Sequence, residues 1–136
     1  MNVTMVLAEF NMGKKQMALT NAGQHAYPLL IRGGRVEPVK AKGLALGMIP
    51  TIPYKQSTID LESGDLLLFM TDGVTEPRDV NGVMYEESGR LDEVLSSIPA
   101  DMPIEEVIDT VINDVEIYTA DEEQDDDITL VAVRVS

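Results

Sequence analysis

Short apolar runs separated by turn residues fill the first half of the chain, and apolar residues at helical spacing fill much of the second. Val3 to Phe10 and Gln16 to Thr20 flank Asn11-Met12-Gly13-Lys14-Lys15, a turn composition that predicts a hairpin. Leu29 to Arg32 and Arg35 to Val39 flank Gly33-Gly34, a second hairpin signal. Two hairpins in succession predict an antiparallel sheet. Lys42 to Tyr54 holds Gly43, Gly47, Pro50 and Pro53, which disfavour helix and strand alike, so it reads as a surface loop. Ser57 to Leu61 is a further strand, Glu62-Ser63-Gly64-Asp65 a turn, and Leu66 to Met70 a strand apolar at every position and therefore buried on both faces.

Helices follow. Ser88 to Ile98 carries Leu91, Val94, Leu95 and Ile98 on one stripe, and Pro103 to Tyr118 carries Ile104, Val107, Ile108, Val111, Ile112 and Val115 on another. Pro103 stands at a first-turn position, where its missing N–H is harmless. Both helices are amphipathic, so each is expected to cover a sheet face. Thr119 to Asp127 is polar and acidic and leads into a last strand, Ile128 to Val135. No internal repeat or linker divides the chain, which reads as one unit over residues 1–136.

Composition narrows the function classes. The chain has 136 residues, 44% apolar content and no cysteine, which suits a cored domain in a reducing, cytoplasmic setting and removes disulfide and thiolate-zinc chemistry. No apolar run approaches the roughly 18 residues of a membrane span. The net charge of -14 is uneven. Residues 1–59 hold two acids, Glu9 and Glu37, against seven Lys or Arg; residues 60–136 hold 22 acids against three. Such a field disfavours nucleic acid and points to proteins or cations as partners, unless the acids only solubilise the second half. Arg32, Arg35, Lys40, Lys42 and Lys55 lie on or beside the second hairpin and the loop, where they either steer an acidic or phosphorylated surface or simply scatter charge.

Two acidic stretches carry the candidate chemistry. Thr71-Asp72-Gly73-Val74-Thr75-Glu76 follows one apolar strand, and Asp125-Asp126-Asp127-Ile128-Thr129 precedes another. A strand ending in Asp-Gly and one beginning after Asp-Asp bring carboxylates to one sheet edge, where they can bind a hard divalent cation. Gly73 allows a tight turn with backbone close to a ligand. Taken singly, each stretch also fits a turn or a solvated loop.

The order of motifs resembles the C-terminal half of bacterial PP2C-like serine phosphatases of the SpoIIE/RsbU type. The resemblance rests on Thr4 to Ala8, Thr20-Asn21-Ala22-Gly23 with Pro28-Leu29-Leu30, Leu46-Gly47, Leu61 through Glu76, Gly89-Arg90-Leu91 and Asp126 through Val131. It implies an α+β fold, the α/β/β/α sandwich of that family, incomplete at the N-terminus, with antiparallel sheets and two amphipathic helices. It also implies a centre of two Mn or Mg ions that activate a water, with Asp72 and Asp126 as ligands, Asp127 as the alternative one register along, and Gly73 beside them. Asn21, Gly23 and His25 fall on the substrate side; Gln24 precedes His25, for which a turn or packing role is the other reading.

The family's earlier motif, an Asp followed shortly by Gly-His-Gly, has no counterpart, because no Asp precedes Asp60. Two carboxylates without the bridging third imply weak metal binding and poor turnover. The resemblance therefore leaves two accounts: part of a Ser/Thr phosphatase acting on a phosphorylated regulatory protein such as an anti-sigma-factor antagonist, or a regulatory module that associates through its exposed sheet, as in a homodimer. An unrelated α+β binding domain would have to produce the linked motifs by chance.

Overall fold

The computed structural model describes residues 2–120 and 127–136. Among the described residues, seven strands form two antiparallel sheets. The first contains β1 (Met5–Asn11), β2 (Gln16–Ala22) and β5 (Ser57–Asp60), in the order β1-β2-β5. The second contains β3 (Leu29–Arg32), β4 (Arg35–Pro38), β6 (Leu66–Met70) and β7 (Leu130–Arg134), in the order β4-β3-β6-β7. Both hairpins form as their turn residues predict, with Gly33 and Gly34 at φ 57° and 78°. They do not share a sheet, however. After Ala22 the chain crosses from one sheet to the other, so each hairpin seeds its own layer.

β6 explains the stacking. Successive strand residues point to opposite faces, and Leu66, Leu68 and Met70 enter one core while Leu67 and Phe69 enter the other. The inter-sheet core holds Met17, Leu19, Leu30, Leu67 and Val135, with Phe10 edge-on to Phe69 at 6.5 Å. The second core lies beneath the helices.

Among the described residues, four helices follow β6: α1 (Asp72–Thr75), α2 (Tyr85–Ser88), α3 (Arg90–Ser96) and α4 (Ile104–Thr119). The expected helix from Ser88 begins only at Arg90, because Gly89 adopts φ 78° and separates α2 from α3. Pro103 is the residue before the first turn of α4, not within it. Leu91 and Leu95, and Val107, Val111 and Val115, are buried at four-residue spacing against β3 and β6. The two longer helices thus both cover one face of the four-stranded sheet. The outer face of the three-stranded sheet, with Met5 and Leu7, has no helical cover among the described residues, and Leu7 is 61% exposed. No described helix is long and apolar enough to cross a membrane.

Two polar clusters fasten the layers. Asp65, 2% exposed, accepts hydrogen bonds from Arg32 Nε and Nη2 at 2.8 and 2.6 Å and from the Glu62 N–H at 2.7 Å. On the helical side, Asp114 of α4 accepts from the Tyr85 hydroxyl at 2.6 Å and from Arg90 Nη2 at 2.6 Å, while Arg90 lies over the Tyr118 ring. Arg90 holds the Asp114 carboxyl below the usual carboxylate range; burial opposes this and the Tyr85 hydroxyl assists.

Candidate metal centre

The antiparallel pairing of β6 with β7 sets Met70 opposite Leu130. Thr71, which follows β6, and Asp127 to Thr129, which precede β7, therefore meet at one sheet edge. Three hydrogen bonds latch them. The Thr71 N–H donates to the Thr129 carbonyl at 3.1 Å, the Thr129 N–H donates to Thr71 Oγ1 at 3.0 Å, and Thr71 Oγ1 makes a longer contact with the Asp127 carbonyl at 3.4 Å. The Thr71 side chain and the Thr129 backbone thus form the clamp.

Gly73 serves the same closure. A Cβ placed on it would stand 2.1 Å from the Asp127 carbonyl oxygen and 2.7 Å from its carbon. Its missing side chain admits the backbone of the second acidic stretch. Asp72 opens α1, where an acid suits the helix N-terminus. Its Oδ1 is buried without a hydrogen-bond partner among the described residues. A buried carboxylate oxygen without a donor is costly unless a cation meets it.

The surrounding charge has the matching sign. Glu86 at the start of α2 has its carboxyl pushed up by loss of solvation and then by the negative charges of Asp72, Glu76 and Glu87. A divalent cation would relieve that repulsion. The oxygen donor set and the orphaned Asp72 Oδ1 fit a hard ion such as Mn or Mg. Among the described residues, though, no group of three or more ligand-type side chains converges. Asp127 lies beside Gly73, whereas Asp126 falls outside the described residues.

The Asn21 to Pro28 loop approaches the same end by a different route. Asn21, buried in the turn, accepts the Gln24 N–H at 2.8 Å and donates to the Gln24 carbonyl at 3.0 Å. Gln24 Nε2 reaches toward the Met70 carbonyl, one residue before Thr71. Gly23, at φ 77°, donates its N–H to the Gly43 carbonyl, and a Cβ there would meet the Ala45 nitrogen at 2.7 Å. His25 is exposed on the loop. Asn21 and Gly23 thus shape the turn and seat the 39–56 segment on it. Sequence reasoning missed Gln24, whose link to Met70 depends on tertiary contact alone.

A two-sheet sandwich with carboxylates at the strand ends is the architecture of PP2C-type phosphatase domains. The phosphatase domain of SpoIIE from Bacillus subtilis, in a crystal presoaked with Mn, superposes with a TM-score of 0.75 at 23% identity, over 97% of this chain and 56% of that one. The SiaA-PP2C domain of Pseudomonas aeruginosa superposes with a TM-score of 0.81 at 22% identity, over 96% and 51%. In sequence, the phosphoserine phosphatase RsbU of Bacillus subtilis is 30% identical over 137 residues, matching 98% of this chain and 39% of the relative. The family model for stage II sporulation protein E matches residues 1–136, and the chain belongs to that SpoIIE family. It spans about half the length of the solved domains it matches.

Proposed function

We propose that this chain forms part of a metal-dependent phosphatase domain that hydrolyses phosphoserine or phosphothreonine on a regulatory protein such as an anti-sigma-factor antagonist. The observation that carries the reading is the buried Asp72 Oδ1, without a hydrogen-bond partner among the described residues and next to the Thr71 latch onto the Asp127 backbone, in a family of phosphatases. Asp72 with Asp126 or Asp127 would hold Mn or Mg. Such an ion supplies Lewis acidity toward water and phosphate when bound. Thr71 and Thr129 keep the ligand-bearing backbones in register, and Gly73 lets them approach. No nucleophilic protein side chain is needed, which suits a chain without cysteine.

With two carboxylates in place of a full ligand set, the chain by itself binds metal weakly and turns over slowly in this reading. Mn titration by calorimetry, with Asp72→Asn, Asp126→Asn and Asp127→Asn, alongside hydrolysis of an aryl phosphate, tests it. Binding that depends on Asp72 and on one of the other two supports the centre. Binding indifferent to Asp72 removes it.

A second reading, an assembly module of the same fold acting in the cytoplasm, draws on the open side of the sandwich. β1 and β7 are both edge strands, and between them lies a cavity of about 180 Å³ lined by Met5, Val6, Phe69, Thr71, Thr129 and Val131. Val131 faces this inter-sheet space yet is 50% exposed. Unpaired edges and an open core favour a second copy or another segment here. A concentration-independent monomer in sedimentation would count against self-association.

A further inference from the structure

The sandwich divides the basic residues of the first half of the chain between its two ends. Arg32 and Arg35 pair across the tip of the second hairpin, and Leu66 pairs with Ile31, so this tip lies at the end opposite Met70 and Thr71. Lys15 belongs to the same far end, where its carbonyl accepts the Leu61 N–H and its Nζ donates to Ser63. Arg32 is moreover committed to Asp65, Glu62 and the Asp60 carbonyl. Lys40, Lys42 and Lys55 lie elsewhere. β4 runs from Arg35 back toward Pro28, which accepts the Val39 N–H, and β5 begins at Ser57 opposite Leu19, on the Asp72 side of Asp60.

The segment between them is built onto that same end. Gly43 bonds Gly23, and Leu46 exchanges two backbone hydrogen bonds with Val3. The Tyr54 hydroxyl donates to the Leu44 carbonyl at 2.8 Å, which draws the neighbours of Lys42 and Lys55 together. On this seated segment Leu44, Met48 and Ile49 stay in solvent, the last two 53% and 48% exposed. Close to Asp72 itself the charge is acidic, since Asp72, Glu76 and Glu87 all act on Glu86.

We propose that residues 40–55 are a docking rim for an acidic protein, with Lys40, Lys42 and Lys55 meeting its carboxylates and Leu44, Met48 and Ile49 its apolar patch. The partner's identity as the phosphorylated substrate rests on the phosphatase reading above. An acidic surface is repelled by Glu76 and Glu86 and attracted by the three lysines, so the rim favours approach over residues 40–55. Nucleic acid is a poorer fit, because three lysines release few counterions and exposed Met and Ile gain nothing from a phosphate backbone.

The test titrates the full chain, without Mn, with a phosphorylated anti-sigma-factor antagonist encoded by the same genome. Lys40→Glu with Lys42→Glu should weaken binding about tenfold or more at low salt and less at high salt. Met48→Ser with Ile49→Ser should weaken it at both. Circular dichroism checks that both variants fold. Undiminished affinity in both variants, or no binding by the unmodified chain, overturns the rim. Equal affinity for a short duplex DNA, lost in the same variants, overturns it in favour of a general polyanion surface. Mn calorimetry on the same samples reports the metal centre separately, so docking without Mn binding, or Mn binding without docking, identifies which of the two readings has failed.

Discussion

Asp65 is clasped by the guanidinium of Arg32 through two hydrogen bonds of 2.8 and 2.6 Å at the end of the sandwich farthest from Thr71. The pair ties the β3–β4 hairpin to the turn before β6. Desolvation pushes the Asp65 carboxyl up, but the Arg32 bonds and the Glu62 N–H outweigh it and hold the carboxyl below its usual range. Because the folded pKa is the depressed one, the pair's contribution is present above the unfolded carboxylate value of about 3.9. It is lost as pH falls through the folded value. Asp65→Asn should therefore cost about 2–3 kcal/mol near neutral pH, with Arg32 partly solvated. Urea unfolding at stepped pH should show that deficit shrinking once the pH drops below about 4.

Gly73→Ala tests the latch directly. The added methyl would collide with the Asp127 carbonyl, and backbone cannot rotate away as a side chain can. We expect a loss of about 1–3 kcal/mol in stability and about 10–100-fold in Mn affinity, read by thermal unfolding and calorimetry. Wild-type Mn affinity in this variant would show that the Asp127 side of the latch does not serve the metal.

Asn21→Ala removes both hydrogen bonds that close the turn to Gln24. It should cost about 1–3 kcal/mol, since buried partners are left unmet. If Asn21 acts only through the turn, Asn21→Asp should retain the bond from the Gln24 N–H and recover part of the loss. Hydrogen exchange at Gly23 and Leu46 should rise in the Ala variant, because the 39–56 segment rests on this turn.

Tyr85→Phe tests the helical cluster. The phenol is fully buried, and burial followed by its bond to Asp114 pushes its pKa up, so the hydroxyl remains a donor throughout the accessible pH range. Its removal should cost about 1–2 kcal/mol in chemical denaturation while Arg90 continues to satisfy Asp114. A larger loss on Arg90→Lys would follow from the guanidinium fork and its place over Tyr118.

Local pattern was enough to read the strands, because side-chain alternation and turn chemistry act within a few residues. β3 and β6 match their expected spans at both ends, and the double-sided burial of Leu66 to Met70 follows from its unbroken apolar run. The two acidic stretches were legible as motifs, and the approach of Thr71 to Thr129 followed once β6 and β7 were neighbours. Tertiary structure alone decided which sheet each hairpin joined and that α3 and α4 share a face, since a stripe of apolar residues records that a helix is covered but not by which sheet. It also divided the basic residues, drawing Arg32 to Asp65 at one end and leaving Lys40, Lys42 and Lys55 at the other. The physical reason is range: Arg32 and Asp65 lie 33 positions apart in the chain, and no local preference of either residue encodes the strand pairing that brings their charges together.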